Sequence, residues 1–89
     1  MTGLPKLDQL GANQTRVVLN GVNLWFSYET CIAFDTYGKN DGAAVECFNP
    51  AYRKYSKTTS KHATQMGVSR YPDPLDGEPF ERALARNLA

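Results

Sequence analysis

A run of cationic and aromatic residues between positions 52 and 62 holds the side chains of this sequence best suited to binding. Lysine and arginine neutralise phosphates or pair with acidic groups, and aromatic rings stack on bases or fill apolar pockets. No acidic residue lies between Glu46 and Asp73. We therefore predict a surface that binds a partner or nucleic acid. Its predicted residues are Tyr52, Arg53, Lys54, Tyr55, Lys57, Lys61 and His62, together with Trp25.

An ordinary solvated surface is the alternative explanation of this basic-aromatic segment. Lysine is a common surface residue, and the net charge of the whole chain is only +1. The hydroxyl residues at 56–60 could bind an anion at a helix start or simply cap that helix. The near-neutral net charge disfavours an inhibitor whose acidic surface imitates a polyanion. A protein partner and a nucleic-acid partner both stay open.

Patterns typical of catalysis or metal binding are missing from the sequence. A cysteine nucleophile would need a histidine and an orienting acid nearby, so Cys47 with His62 is the one enzyme hypothesis that we carry forward. No His/Cys pair has the spacing of a metal site. We predict a protein that is not an enzyme and has no cofactor. Two cysteines are fewer than a secreted disulfide scaffold uses, which favours the cytoplasm, and whether Cys31 and Cys47 pair stays open.

The pattern of apolar residues predicts an α+β fold. We expect roughly four antiparallel strands in a meander, over 15–19, 22–28, 30–35 and 43–48, with Asn20-Gly21 as a hairpin turn. A short helix after strand four, at about 59–66, ends at Gly67, and a C-terminal amphipathic helix carries an apolar stripe. The stripe consists of Phe80, Leu84 and Leu88. The predicted core consists of Val17, Leu19, Leu24, Phe26, Ile32, Phe34 and Val45.

The length of 89 residues has room for one domain. Residues 1–14, mixed in Gly, Pro, Asn and Gln, are predicted to be a partly ordered arm, and residues 15–89 a single α+β domain. No apolar run approaches the ~18 residues of a membrane span, and no signal peptide is evident. An unpaired strand edge, or the Phe80/Leu84/Leu88 stripe, leaves a homodimer open.

The segment from Ser27 to His62 resembles small phage proteins of unassigned activity. In those proteins a strand similar to Ser27-Tyr28-Glu29-Thr30-Cys31-Ile32-Ala33-Phe34 precedes a segment similar to Tyr55-Ser56-Lys57-Thr58-Thr59-Ser60-Lys61-His62. The sequence departs from that pattern at Cys31 and in its extension from Pro72 onward. The resemblance implies a phage origin and a life in the host cytoplasm. It favours a small protein that binds and modulates or inhibits a host protein complex, such as a defence system, with nucleic-acid binding as the alternative.

Overall fold

The computed structural model describes residues 6–39, 42–53 and 56–88, and it confirms the α+β prediction. Five antiparallel strands form one sheet in the order β1-β2-β3-β4-β5. Their bounds are β1 Lys6–Gly11, β2 Gln14–Leu19, β3 Val22–Ser27, β4 Thr30–Asp35 and β5 Glu46–Phe48. The helices are α1, Lys57–Met66, and α2, Phe80–Leu88, and short 3-10 turns lie at Tyr37–Lys39, Pro50–Tyr52 and Leu75–Gly77.

The predicted count of four strands was wrong, because residues 6–11 form an additional strand. β1 pairs with β2 so that Asp8 lies opposite Arg16, and an Arg16 nitrogen is 2.7 Å from an Asp8 carboxylate oxygen. This segment contains Lys, Asp, Gln and Gly, which are poor strand formers. The segment forms a strand because it pairs with β2, although its own residues do not favour strand structure.

The Asn20-Gly21 hairpin has the geometry that the sequence predicts. Both residues have positive φ, 53° at Asn20 and 78° at Gly21, as a type I′ turn requires. A Cβ atom at Gly21 would lie only 2.9 Å from backbone atoms of Lys39. The turn therefore needs glycine for its conformation and also for the close approach of the next loop.

The predicted fourth strand, at 43–48, is shorter in the structure and is the fifth strand of the sheet. Only Glu46–Phe48 is strand, and Val45, predicted to be core, is 42% exposed. The Val45 backbone bonds to Thr36, which comes directly after β4. This contact holds the backbone of Val45 at the sheet edge while its side chain stays outside the core.

The two helices cover opposite faces of the sheet. On the α2 face, the buried cluster consists of Val22, Leu24, Phe34, Cys47, Phe80 and Ala83. On the α1 face, it consists of Ile32, Ala33, Phe48, Ala63 and Val68. A bulge in β4 leaves Ile32 without an opposite residue in β3 and shifts the alternation. Ile32, predicted to share a core with Phe34, therefore packs on the other face.

The apolar stripe of α2 packs inside its own chain. Phe80 is buried against the sheet, its ring centroid 5.5 Å from that of Phe34, and Leu84 and Leu88 pack around the same cluster. The stripe is thus already covered and is not free to bind a second copy. Neither helix in the described part of the chain has the length and apolar character needed to cross a membrane.

Candidate binding surface

Helix α1 carries three of the eight predicted binding residues, Lys57, Lys61 and His62, and its ends are fixed by local sequence. The Ser56 side chain accepts a hydrogen bond from the Thr59 backbone N–H at 3.1 Å, so the helix begins two residues before the predicted position 59. Gly67 ends it with φ 78°, and its N–H donates to the carbonyls of Ala63 and Thr64. These caps fix which side chains of α1 face the sheet and which face solvent.

The exposed side of α1 forms a polar, cationic surface, which we call the α1 outer face. It lines a shallow depression of about 700 Å³. Its residues are Ser56, Lys57, Ser60, Lys61, Thr64 and Gln65. Three ion pairs occur in the described residues, and each uses an arginine elsewhere, so Lys57 and Lys61 belong to none of them. The face has two lysines one helical turn apart and no acid.

Tyr28 is an exposed aromatic residue beside α1 that the sequence analysis did not single out. Its ring is 5.6 Å from the His62 ring, and the residue is 54% exposed. Its φ of 56° is unusual for a bulky residue, and a hydrogen bond from its N–H to the Asn13 carbonyl holds that conformation. Tyr28 is the first residue of the two-residue turn between β3 and β4, and the turns favoured in such hairpins have positive φ at that position. The signal in the sequence was its place in a two-residue turn between strands.

His62 lies inside the protein, not on the predicted surface. Its Nδ1 atom is 2.7 Å from the Ser27 hydroxyl, and both residues are buried. The predicted exposure was wrong because α1 turns the 59, 62 and 63 side chains towards the sheet. Cys47 belongs to the opposite face of the sheet, so the structure does not bring the thiol and the imidazole together.

Arg53 is a structural clamp and not a free cation. Its Nε and Nη2 atoms donate to one Asp73 oxygen at 3.0 and 2.8 Å, and its other donors reach the Ser69 and Tyr71 carbonyls. The guanidinium also lies 4.5 Å from the centre of the Phe48 ring. These contacts hold the segment after α1 against the sheet, which removes Arg53 from the predicted binding surface.

The remaining aromatic residues of the predicted surface divide between the core and the undescribed part of the chain. Tyr52 is half-buried and packs against the α1-face cluster. Lys54 and Tyr55 lie outside the described residues. Trp25 is also half-buried, packs against the same cluster, and has Arg16 5.6 Å from its ring centre. Among the predicted site residues in the described ranges, Lys57 and Lys61 are the ones that face solvent.

Asp35 is the centre of a hydrogen-bond network that the sequence analysis missed. The residue is 1% exposed. Its carboxylate accepts hydrogen bonds from Asn23 at 2.7 Å, Trp25 at 2.8 Å, Tyr71 at 2.7 Å and the Tyr37 backbone at 3.2 Å. Burial, together with this bond to Asp35, raises the pKa of Tyr71 far above its usual range. The network joins three strand residues to Tyr71 in the segment that follows α1, so it holds that segment against the sheet.

Both cysteines are free thiols with little chemical reactivity. Burial raises the pKa of Cys31 to about 12 and that of Cys47 to about 11. Since the thiolate is the reactive form, neither residue is activated for nucleophilic attack at neutral pH. No group of three His, Cys, Asp or Glu residues within the described ranges could hold a metal ion.

Comparison with protein families gives one match. The model of a family of unknown function, DUF8033, matches residues 5–72. The chain belongs to the DUF8033 family. The match includes the whole sheet, the α1 outer face and Tyr28, whereas α2 lies beyond it. The features that form the candidate surface are therefore parts of the DUF8033 region.

No curated protein and no solved structure matches the chain significantly. The DUF8033 family carries no assigned activity of its own.

Proposed function

We propose that this member of the DUF8033 family is a non-enzymatic, phage-encoded protein that acts in the host cytoplasm by binding and modulating a host protein complex. The resemblance of residues 27–62 to small phage proteins supports the origin. The main support for binding is the α1 outer face, an exposed helical surface with two lysines and no acid. The exposed Tyr28, whose ring lies 5.6 Å from that of His62 in the same helix, is the aromatic residue that we add to it. Such a surface suits a partner that is acidic and offers an apolar pocket for the ring.

The two charges and the ring have different parts in this binding. Lys57 and Lys61 are spaced one turn apart on a capped helix, so their backbone positions are fixed before a partner binds. They contribute mainly to the rate of encounter and to the orientation of the partner. Tyr28 is the anchor, since tyrosines that become fully desolvated often dominate the energy of an interface.

A protein partner fits this surface better than nucleic acid does. Binding to a single strand would need several stacking rings next to the lysines. Trp25 and Tyr52 instead pack against the core cluster, and His62 is buried. Glu29 is exposed beside Tyr28 and would repel a phosphate backbone. Nucleic-acid binding through Lys57 and Lys61 remains the second candidate, and the acid-free α1 outer face is the observation that favours it.

The test is a quantitative pull-down from bacterial lysate, with and without nuclease, comparing the wild type with a Lys57→Glu/Lys61→Glu variant. We expect a protein partner that survives nuclease and whose affinity falls at least about tenfold in the variant, because lysines that attracted acids would then repel them. The helix should stay folded, since a glutamate at position 57 lies in the first turn and complements the helix dipole, and position 61 is exposed.

Two single variants serve as the matched comparison. Lys61→Glu and Arg82→Glu make the same charge change on exposed positions of helices that cover opposite faces of the sheet. Lys61→Glu and Tyr28→Ala should each weaken partner capture, and Arg82→Glu should not. Equal capture by all variants would refute the surface. Loss of every partner after nuclease treatment would favour nucleic-acid binding instead.

A further inference from the structure

The outer edge of β1 is an unpaired sheet edge with apolar side chains. β1 is an end strand of the sheet, and no described residue pairs with its outer side. Leu7 is 67% exposed and Leu10 is 44% exposed. An unpaired strand presents a row of backbone donors and acceptors, which is a template for adding another strand.

The sequence of β1 is complementary to itself in one register. When two copies pair antiparallel around a two-fold axis perpendicular to the sheet, each face continues across the junction, and directly opposite residues lie on the same face. When the pair is centred on Leu7, the Leu7 residues of the two copies lie opposite each other. Lys6 of each copy then lies opposite Asp8 of the other, which gives two oppositely charged pairs. Centring the pair on Asp8 instead places the two aspartates opposite each other, where they repel.

We propose that this protein forms a two-fold dimer through antiparallel pairing of β1 with β1 of a second copy, centred on Leu7. Charge complementarity selects this register. Asp8 already bonds to Arg16 of its own chain, so Lys6 of the second copy would add a second cation to this carboxylate from across the junction. Leu7 lies opposite Val17 within the chain, so the leucine pair extends the apolar α2 face across the junction.

The dimer has a consequence for the orientation of the two α1 helices. The two-fold axis keeps each face of the sheet on its own side, so both α1 helices lie on the same side of one continuous sheet. Two α1 outer faces then point towards the same partner surface. A repeated or oligomeric partner would be bound with higher avidity than a single face gives. The dimer does not depend on the proposed function, because it rests on β1 alone.

The contact is short, so the dimer should be weak and in exchange with the monomer. Interfaces that bury less than about 1,200 Å² are typical of transient association. We expect sedimentation velocity to show a concentration-dependent shift from monomer to dimer across the micromolar range. A Lys6→Glu variant should weaken the dimer about tenfold, because both Lys6–Asp8 pairs become repulsive. Leu75→Glu, which changes another exposed leucine far along the chain, should leave the dimer unchanged.

Cysteine cross-linking tests the register directly. In a pair centred on Leu7, the two copies of a Leu7→Cys variant have their new thiols directly opposite each other, within disulfide reach. An Asp8→Cys variant places its thiols too far apart. Under mild oxidation, Leu7→Cys should give a covalent dimer, whereas Asp8→Cys and the wild type should not. Cross-linking of Asp8→Cys in place of Leu7→Cys, or a wild type that stays monomeric up to about 1 mM, would overturn the proposal.

Discussion

Replacing Asp35 by alanine tests how much its hydrogen-bond network contributes to the stability of the fold. The Asp35 carboxylate accepts from three side chains and one backbone N–H while being almost fully buried. Hydrogen bonds to a carboxylate contribute roughly 1.5–3 kcal/mol each, but bonds that share one acceptor group are not additive. Since the substitution also leaves Asn23, Trp25 and Tyr71 without this partner, we expect the free energy of unfolding to fall by about 3–5 kcal/mol.

The size of this loss compared with the total stability makes the experiment decisive. At roughly 0.05–0.15 kcal/mol per residue, a chain of this length has a free energy of unfolding of about 4–13 kcal/mol. The Asp35→Ala variant should therefore unfold at a much lower urea concentration than the wild type. The fluorescence of Trp25 reports on the site, because it is the one tryptophan of the chain and its Nε1 donates to Asp35.

Two control variants separate the network from a general loss of charge. Tyr71→Phe removes one of the donors and should cost only about 1.5–3 kcal/mol. Glu81→Ala removes an exposed acid and should change stability by less than about 0.5 kcal/mol. If Asp35→Ala cost no more than Glu81→Ala, the network would not contribute to the stability of the fold and the reasoning would be refuted.

Two further predictions follow from the raised pKa values. Tyr71 keeps its proton in the folded protein at pH values where the unfolded chain loses it. The free energy of unfolding should therefore fall as pH rises above about 10. The fall should be less than about 1.4 kcal/mol per pH unit, because the Tyr71 ring is only partly buried. Urea unfolding between pH 9 and 11 should show a shallower fall in Tyr71→Phe, and equal slopes would contradict the assignment. The Cys47 thiol has its pKa raised to about 11, so it should react with a maleimide at least about 100-fold more slowly in the folded protein than in urea. Similar rates in the two conditions would show that the thiol is accessible and has an ordinary pKa.

Local sequence determined the turns and the helix ends of this protein. Asn20-Gly21 specifies its hairpin because both residues tolerate positive φ. Ser56 is one of several hydroxyl residues that could cap the start of α1, so the sequence predicted that start about two residues too late, whereas Gly67 specifies the end because it adopts the left-handed conformation. These features depend on neighbouring residues only, so the pattern of residue types predicts them.

Tertiary structure decided which of the predicted binding residues reach solvent. Arg53 and Lys57 look equivalent in the sequence, but Asp73, twenty residues away in sequence, draws Arg53 into a clamp and leaves Lys57 outside. His62 is buried because α1 docks on the sheet through that side, next to Ser27. The bulge at Ile32 moved a core residue to the other face. Each outcome depends on contacts between distant parts of the chain, which residue spacing alone does not encode.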